Sequence, residues 1–290
     1  MILITGSTGL LGSTLVPWLK SHGKTIATHA RQTNANYTAD LVNKGETFAL
    51  LNKIQPSVIV NLVGLTSVEH CQDHANESYM VNTRTVENIV NWIAQANCNC
   101  HLIQISTDQV YDGTGIHTED QVTITNNYAF SKYSGELASA RVPSTILRTN
   151  FVGRSKIESR ESLTDWVYNS LTNGKHVQVL QDVYFSPLSI QTLVKMIQLV
   201  IENKPVGIFN LGSKNGMSKA DFDFKFAEQL NLPTETMTRI NSSQATFLKA
   251  YRPKDMRMDS SKFEKIMNIQ LPTLMDQIES IAKEYHVETK

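Results

Sequence analysis

The chain has 290 residues, of which 41% are hydrophobic and 19% charged, a composition typical of a folded globular protein. Its 27 Lys and Arg residues balance 27 Asp and Glu residues, so the net charge of zero predicts neither a nucleic-acid partner nor a membrane partner. No apolar run is long enough to span a bilayer, the N-terminus lacks the basic segment of a signal peptide, and three cysteines are too few for a disulfide framework, so we expect a cytoplasmic protein.

Short apolar runs alternate with longer helical patterns over the first half of the chain. The clearest helical pattern runs from Glu77 to Ala96, where apolar side chains recur at spacings of three and four. The short runs end at polar or glycine residues, as buried parallel strands do, and they predict strands at Met1–Thr5, Thr25–His29, Ser57–Leu62, His101–Ser106 and Ser144–Leu147. This alternation predicts an α/β fold with a Rossmann-type, doubly wound parallel sheet.

The pattern changes after Arg148. The stretch from Asn150 to Gln181 is polar and is expected to be irregular. Further elements are predicted at Ile190–Glu202 (helix), Gly207–Leu211 (strand), and Lys219–Leu230, Ser260–Met267 and Pro272–Tyr285 (helices). We predict an NAD(P)-binding domain of residues 1–150, to which the chain returns at about 183–209, and a smaller substrate-binding domain of residues 151–182 and 210–290.

A glycine-rich loop follows the first predicted strand and precedes a helix. Gly6 permits a tight turn, Gly9 lets the pyrophosphate of a dinucleotide approach the backbone, and Gly12 lets the helix pack closely on the strand. The N-terminus of the helix then offers free amides and a partial positive charge to the phosphates. Leu10 and Leu11, which stand between the last two glycines, complete the predicted cofactor loop.

Two residues near this loop bear on the shape of the first helix and on the choice of cofactor. Pro17 lies inside the predicted helix, where it removes a hydrogen bond, and we expect a kink or an early helix end there. Arg31 follows the second strand, where an acidic residue would bind the ribose 2′-hydroxyl of NAD and an arginine accommodates the 2′-phosphate of NADP. Arg31 therefore favours NADPH as the cofactor. If Arg31 is instead a surface residue that does not contact the cofactor, NADH remains open.

The spacing of Tyr128 and Lys132 predicts that a helix places both side chains one turn apart on the same face. A phenol is a poor acid or base at neutral pH, but a cation within a few ångströms stabilises the phenolate and lowers its pKa. Thr107 follows a predicted central strand, and ligands of open α/β sheets bind at the carboxyl ends of such strands. The three residues form the predicted catalytic set.

The sequence offers one further candidate functional site, a metal site. His70 and His74 stand four residues apart, as metal ligands on one helix face do, and Cys71 and Asp73 lie near them in the sequence. No general base stands between the histidines and no third ligand is evident, so we interpret them as a polar helix face and predict no metal.

Several motifs carry a resemblance to a known family. TGSTGLLG, NLVG, STDQVY and YAFSK occur in the order that is typical of the extended short-chain dehydrogenase/reductase superfamily. Within it, STDQVYDG, KYSGE, RTNFVG and the segment from Arg252 to Pro272 resemble the dTDP-4-dehydrorhamnose reductase family. The resemblance implies NAD(P)H-dependent reduction of a 4-keto nucleotide-activated deoxysugar, used in the synthesis of surface polysaccharide sugars.

The resemblance also implies roles for individual residues. Tyr128 would donate the proton to the new hydroxyl group, Lys132 would lower the pKa of Tyr128 and bind the nicotinamide ribose, and Thr107 would hold the carbonyl oxygen. Asn82 would support the site. Further cofactor neighbours would be Asp40, Leu41, Val63, Gly64 and Leu65, and further substrate neighbours would be Phe151 and Arg252.

The sequence departs from the family pattern at three places. Leu62–Gly64 replaces small alanines, Ala129 replaces a glycine after the tyrosine, and Phe151 replaces a common tryptophan, which leaves the identity of the sugar open. Gln109 stands where related 4,6-dehydratases have an acid, and an amide cannot act as that base, which argues against dehydratase activity.

Two other functions and the oligomeric state stay open from the sequence. Chains of this kind also serve as non-catalytic, NADP-binding regulatory subunits, as in methionine adenosyltransferase. The same fold also supports a nucleotide-sugar 4-epimerase or dehydrogenase. The expected partner is the nucleotide-sugar substrate, and a homodimer remains open.

Overall fold

The computed structural model describes residues 1–32, 34–96 and 98–286, and the chain forms two compact units. The first unit comprises residues 1–107, 126–148 and 194–209, and the second comprises 108–125, 149–193 and the chain from Asn210 onward. Three segments that the predicted boundaries assign to the NAD(P)-binding domain, 108–125, 149–150 and 183–193, group with the second unit.

The described part of the chain contains short strands and eleven α-helices. The strands are β1 (Ile2–Thr5), β2 (Ile26–Ala30), β3 (Tyr37–Thr38), β4 (Val58–Asn61), β5 (His101–Ile105), β6 (Ser144–Thr149), β7 (Phe151–Val152), β8 (Val177–Leu180), β9 (Tyr184–Phe185), β10 (Leu188–Ser189), β11 (Gly207–Leu211), β12 (Met217–Ser218) and β13 (Met237–Ile240). The helices are α1 (Gly12–Ser21), α2 (Lys44–Ile54), α3 (Val68–Asp73), α4 (Ala75–Tyr79), α5 (Thr85–Ala96), α6 (Asn127–Ser139), α7 (Leu163–Thr172), α8 (Ile190–Asn203), α9 (Lys219–Gln229), α10 (Ser261–Met267) and α11 (Leu274–His286). None of the helices in the described ranges has the length and apolar character that a membrane crossing requires.

One seven-stranded sheet has the order β11-β6-β5-β4-β1-β2-β3. The neighbouring pairs from β3 through β6 are all parallel. The central strands β1, β4 and β5 are buried along their whole length, because each is an apolar run with few polar residues. The strand order reverses between β1 and β4, as it does in dinucleotide-binding folds, so the predicted Rossmann-type α/β fold is confirmed.

Helix α1 does not end early at Pro17, so one of the two outcomes expected there, an early helix end, was wrong. The helix continues to Ser21, with Leu15 and Leu19 fully buried on either side of the proline. Pro17 itself is exposed, so the Ser13 carbonyl that loses its intrahelical donor lies on the side where water can replace it. Burial of the two leucines offsets the cost of the proline.

The helical run predicted from Glu77 to Ala96 is confirmed, and it contains a π-helical turn. This turn, Met80–Arg84, joins α4 to α5 without a break. Thr83 Oγ1 donates a hydrogen bond to the carbonyl of Ser131 at 2.8 Å, which ties the turn to helix α6. Such turns inside α-helices are frequent at functional sites.

The stretch from Asn150 to Gln181 is only partly irregular, whereas the sequence-based expectation was that all of it would be. It contains helix α7, which begins with a capping box between Ser162 and Asp165, and strand β8, which pairs in parallel with β13. Val167 and Leu171 are buried one turn apart in the hydrophobic core of the second unit. Packing of this short apolar face therefore outweighs the polar composition of the segment.

Candidate active site

The glycine-rich loop leaves β1 through a left-handed turn. Gly6 has φ +66°, and the amide of Gly9 donates to the carbonyl of Gly6 at 3.0 Å. A Cβ atom on Gly12 would lie 2.7 Å from Cα of Ser7, so the loop folds too closely onto its own helix for any side chain there. Gly9 and Leu10 remain partly exposed at the surface of the loop, whereas Leu11 is buried.

Asp40 and Leu41 form a rigid loop beyond β3. His29 Nε2 contacts the carbonyl of Ala39 at 3.0 Å, and burial lowers the pKa of His29, so a neutral ring donates this hydrogen bond. Asn88 Nδ2 donates to the carbonyl of Leu41 at 2.9 Å. Arg31, which follows β2, is exposed and is therefore accessible to a ligand.

Polar side chains link the carboxyl ends of the three central strands. Thr5 Oγ1 donates to Asn61 Oδ1 at 2.6 Å, and Asn61 Nδ2 donates to Gln104 Oε1 at 2.8 Å. The Asn61 oxygen also accepts the amide of Val63 at 3.3 Å. This buried chain of hydrogen bonds holds β1, β4 and β5 in register where the loops of the site begin.

Asn82 joins the loop after β4 to helix α6. Its Oδ1 accepts the amide of Leu65 at 2.8 Å, and its Nδ2 donates to the carbonyl of Leu65 at 3.0 Å and to Ser131 Oγ at 2.9 Å. A Cβ atom on Gly64 would lie 3.7 Å from Lys132 Nζ, so this loop passes directly beside the lysine. Asn82 thus fastens this loop to helix α6, and its role in supporting the site stays a prediction.

Helix α6 carries Tyr128 and Lys132 one turn apart, both with buried side chains. The helix begins at Asn126, whose side chain accepts the amide of Ala129 at 2.8 Å. Lys132 Nζ donates to the carbonyl of Ile105, the last residue of β5, at 2.7 Å. Thr107, also buried, follows Ile105 by two residues, just beyond the end of β5.

The pKa of the Lys132 ammonium lies only slightly above neutral pH. Burial lowers the pKa of Lys132 from 10.5 to about 8, while the Glu136 carboxylate and, more weakly, Cys71 act in the opposite direction. Lys132 is therefore mostly cationic at pH 7 and can stabilise a nearby phenolate. Such a cation gives a tyrosine one turn away the ability to release and recover a proton.

A comparison with models of known protein families identifies the family to which the chain belongs. The family model described as RmlD substrate binding domain matches residues 1–287. The chain belongs to this family. The match runs through both units, so the glycine loop, helix α6 and the second unit all lie within one RmlD-type chain.

Relatives of this RmlD-type chain span nearly its full length. A probable low-salt glycan biosynthesis reductase, Agl14 of Haloferax volcanii, is 25% identical over 295 residues, with 96% of each chain covered. The dTDP-4-dehydrorhamnose reductase of Salmonella typhimurium is 26% identical over 288 residues, with 93% of each chain covered. The crystal structure of the dTDP-4-dehydrorhamnose reductase of Bacillus anthracis in complex with NADP shares the fold, with a TM-score of 0.88, 20% identity and 98% of each chain covered.

The two substrate neighbours suggested by the family resemblance lie in the second unit of the RmlD-type chain. Phe151 begins β7, which pairs in parallel with β10, and its side chain is half-buried. Arg252 is also half-buried, and its Nη1 donates to the carbonyl of Ala250 at 3.3 Å. Their contact with substrate remains a prediction.

The histidine pair considered for metal binding does not gather a ligand set. The rings of His70 and His74 stack with centroids 4.2 Å apart, and His70 Nε2 pairs with Glu77 Oε2 at 2.8 Å on the exposed surface. Within the described residues, no group of three or more His, Cys, Asp or Glu side chains is arranged to hold a metal ion.

Sequence reasoning missed a buried ion pair beside Lys132. Glu136 stands four residues after Lys132, a spacing that usually indicates an exposed ion pair on a helix. Instead Glu136 pairs with Arg148, Nη2 to Oε2 at 2.7 Å, and both side chains are only 1% exposed. The signal that could have found the pair is an arginine directly after the apolar residues Ile146 and Leu147 of a predicted buried strand, since a buried charge needs a partner.

Proposed function

We propose that the chain is an NADPH-dependent oxidoreductase that reduces a 4-keto nucleotide-activated deoxysugar for surface polysaccharide synthesis. The observation that carries this proposal is the buried Lys132 ammonium, which is hydrogen-bonded to the end of β5 one helical turn from Tyr128. The reductase names of the Haloferax volcanii and Salmonella typhimurium relatives support the same reaction class.

The residues of the glycine loop fit a dinucleotide. The close approach at Gly12 and the left-handed turn at Gly6 leave the N-terminus of α1 open to a phosphate, and the first turn of that helix contains no acidic residue to repel one. NADPH, when bound, supplies the hydride. Gly9, Leu10, Leu11, Asp40, Leu41, Val63, Gly64 and Leu65 are the further residues that we propose line its site.

The chain supplies the proton. Tyr128 donates its hydroxyl proton to the substrate carbonyl oxygen as that oxygen becomes a hydroxyl group, while Thr107 Oγ1 holds the same oxygen by a hydrogen bond. Lys132 stabilises the phenolate that Tyr128 becomes, and solvent returns the proton. Because the pKa of Lys132 is about 8, activity should decline as the pH rises above that value.

Arg31→Ala should raise the KM for NADPH about tenfold or more and leave the KM for NADH nearly unchanged. An arginine bound to a phosphate contributes roughly 1.5–3 kcal/mol, and only NADPH carries the 2′-phosphate. Steady-state kinetics with both cofactors measure the effect, and Arg141→Ala, which changes an exposed arginine of the same unit, is the control. An unchanged ratio of the two Michaelis constants would remove Arg31 from cofactor selection.

A substrate panel tests the function itself. Purified protein is mixed with NADPH and with dTDP-, UDP- and GDP-linked 4-keto sugars, and loss of NADPH absorbance is followed while NMR gives the configuration of the product. Oxidation of NADPH by at least one 4-keto sugar is expected. Cofactor binding without oxidation, together with a second protein that co-purifies, would favour a regulatory subunit instead, and tightly held NAD that does not exchange would favour an epimerase.

A further inference from the structure

The carboxylate of Glu136 is held by three hydrogen-bond donors inside the first unit. Arg148 Nε donates to Glu136 Oε2 at 3.0 Å, and Nη2 donates to the same oxygen at 2.7 Å. Ser106 Oγ donates to Oε1 in a short hydrogen bond. The backbone amide of Ser106 donates to the carbonyl of Leu147 at 2.7 Å, so the serine is bound both to β6 and to helix α6.

Helix α6 is thus tied to the end of β5 at two consecutive residues. Lys132 Nζ donates to the carbonyl of Ile105, and one turn later Glu136 accepts the hydroxyl of Ser106. Thr107 follows directly in the chain. The hydrogen bonds of the two residues that precede Thr107 therefore help to fix its place relative to the helix.

Stability alone explains this ion pair poorly. Each buried charge loses several kcal/mol of hydration, and apolar residues of similar volume are often as stable or more stable in such places. Glu136 and Arg148 are almost completely buried, so the pair bears the full cost of desolvation. A requirement for specific geometry accounts better for two charged residues here than a contribution to folding does.

We propose that Glu136 and Arg148 are positioning residues, which hold Ser106 and Thr107 against helix α6 so that Thr107 and Lys132 keep the spacing that proton transfer needs. The proposal rests on the reductase function proposed above. It assigns to the pair no contact with the substrate or the cofactor.

Ser106→Ala is the mildest test, because it removes one hydroxyl group and leaves the ion pair intact. We expect kcat for 4-keto sugar reduction to fall about tenfold or more, since small displacements of catalytic groups are costly, while the Kd for NADPH stays within about twofold. Ser139→Ala is the matched control, because the Ser139 hydroxyl lies buried in the same helix and bonds only to the Gly135 carbonyl at 2.9 Å. A wild-type kcat in Ser106→Ala would overturn the proposal.

Two further variants separate positioning from folding. Glu136→Gln removes the charge that helps to keep Lys132 protonated, so the basic limb of the pH profile of kcat/KM should move to lower pH. The double variant Glu136→Met with Arg148→Met removes both buried charges together and should recover thermal stability without recovering kcat. Recovery of both properties would show that the pair serves folding alone and would overturn the proposal.

Amide hydrogen exchange tests the positioning role even if the protein turns out not to be a reductase. Should the wild-type protein reduce no 4-keto sugar, the Ser106→Ala variant should still exchange the amides of residues 106 and 107 at least tenfold faster than the wild type, with unchanged exchange in the loop Gly6–Gly12. Equal exchange rates at residues 106 and 107 would overturn the positioning role, whatever reaction the protein performs.

Discussion

Replacing Tyr128 with phenylalanine should lower kcat by about 10²–10⁴-fold, the range that general acid–base groups contribute, and leave the Kd for NADPH within about twofold. The substitution removes only the hydroxyl group, and the ring keeps its place on the buried face of α6. No other group is then assigned to donate the proton to the substrate oxygen. Stopped-flow absorbance gives kcat, and fluorescence titration gives the Kd.

Tyr133→Phe is the matched control for this experiment. Tyr133 lies on the same helix, and its ring faces the Arg148 guanidinium at 6.0 Å, a contact that phenylalanine preserves. The control should turn over at the wild-type rate. Full turnover in Tyr128→Phe would contradict the assigned proton donor.

Lys132→Met should have opposite effects on turnover and on stability. Turnover should fall by at least about 10²-fold, because the cation that stabilises the Tyr128 phenolate is lost. Stability near pH 7 should rise, because burial lowers the pKa of Lys132 from 10.5 to about 8, which corresponds to a cost of about 3 kcal/mol to the folded state while the lysine is charged. The lost hydrogen bond to Ile105 offsets about 1 kcal/mol of this gain.

The pH dependence of stability tests independently whether the buried charge of Lys132 destabilises the folded protein. Between about pH 8 and pH 10.5 the unfolded chain binds more protons at residue 132 than the folded chain does, so the contribution of Lys132 to stability should rise with pH, and the stability difference between Lys132→Met and wild type should shrink across that window. Lys132→Met lacks this rise, whereas Lys175→Met, which changes an exposed lysine, should retain it. Denaturant unfolding of the cofactor-free proteins at several pH values measures both. A loss of stability at pH 7 in Lys132→Met would contradict the buried cation.

The strands of the seven-stranded sheet other than β3, and the later helices, were predictable because their signals are local, whereas the strands outside that sheet were not predicted. Strands such as Val58–Asn61 are continuous apolar runs between polar residues, and the predicted bounds lie within two residues of the observed ones. The glycine loop was predictable because its chemistry depends on consecutive residues. The outer helices α9, α10 and α11 also begin and end within two residues of their predicted bounds.

The features that the sequence did not predict depend on contacts between residues that are distant in the sequence. Helix α7 has a polar composition, and although a local capping box begins it, the packing of Val167 and Leu171 in the core of the second unit stabilises it as a helix. Helix α1 continues through Pro17 because buried leucines flank the proline. The pairing of Glu136 with Arg148 joins a helix to a strand twelve residues later, and no spacing rule predicts it.

Transfer of deuterium from NADPH that carries deuterium at both hydrogen positions of C4 of the nicotinamide ring tests the central claim most directly. The protein is incubated with the labelled cofactor and the 4-keto nucleotide sugar that gives the fastest turnover, and the product is examined by NMR and mass spectrometry. The account predicts one deuterium atom, bound to C4 of the product sugar. A product without deuterium at C4, or no product from any 4-keto sugar although NADPH binds, would contradict it.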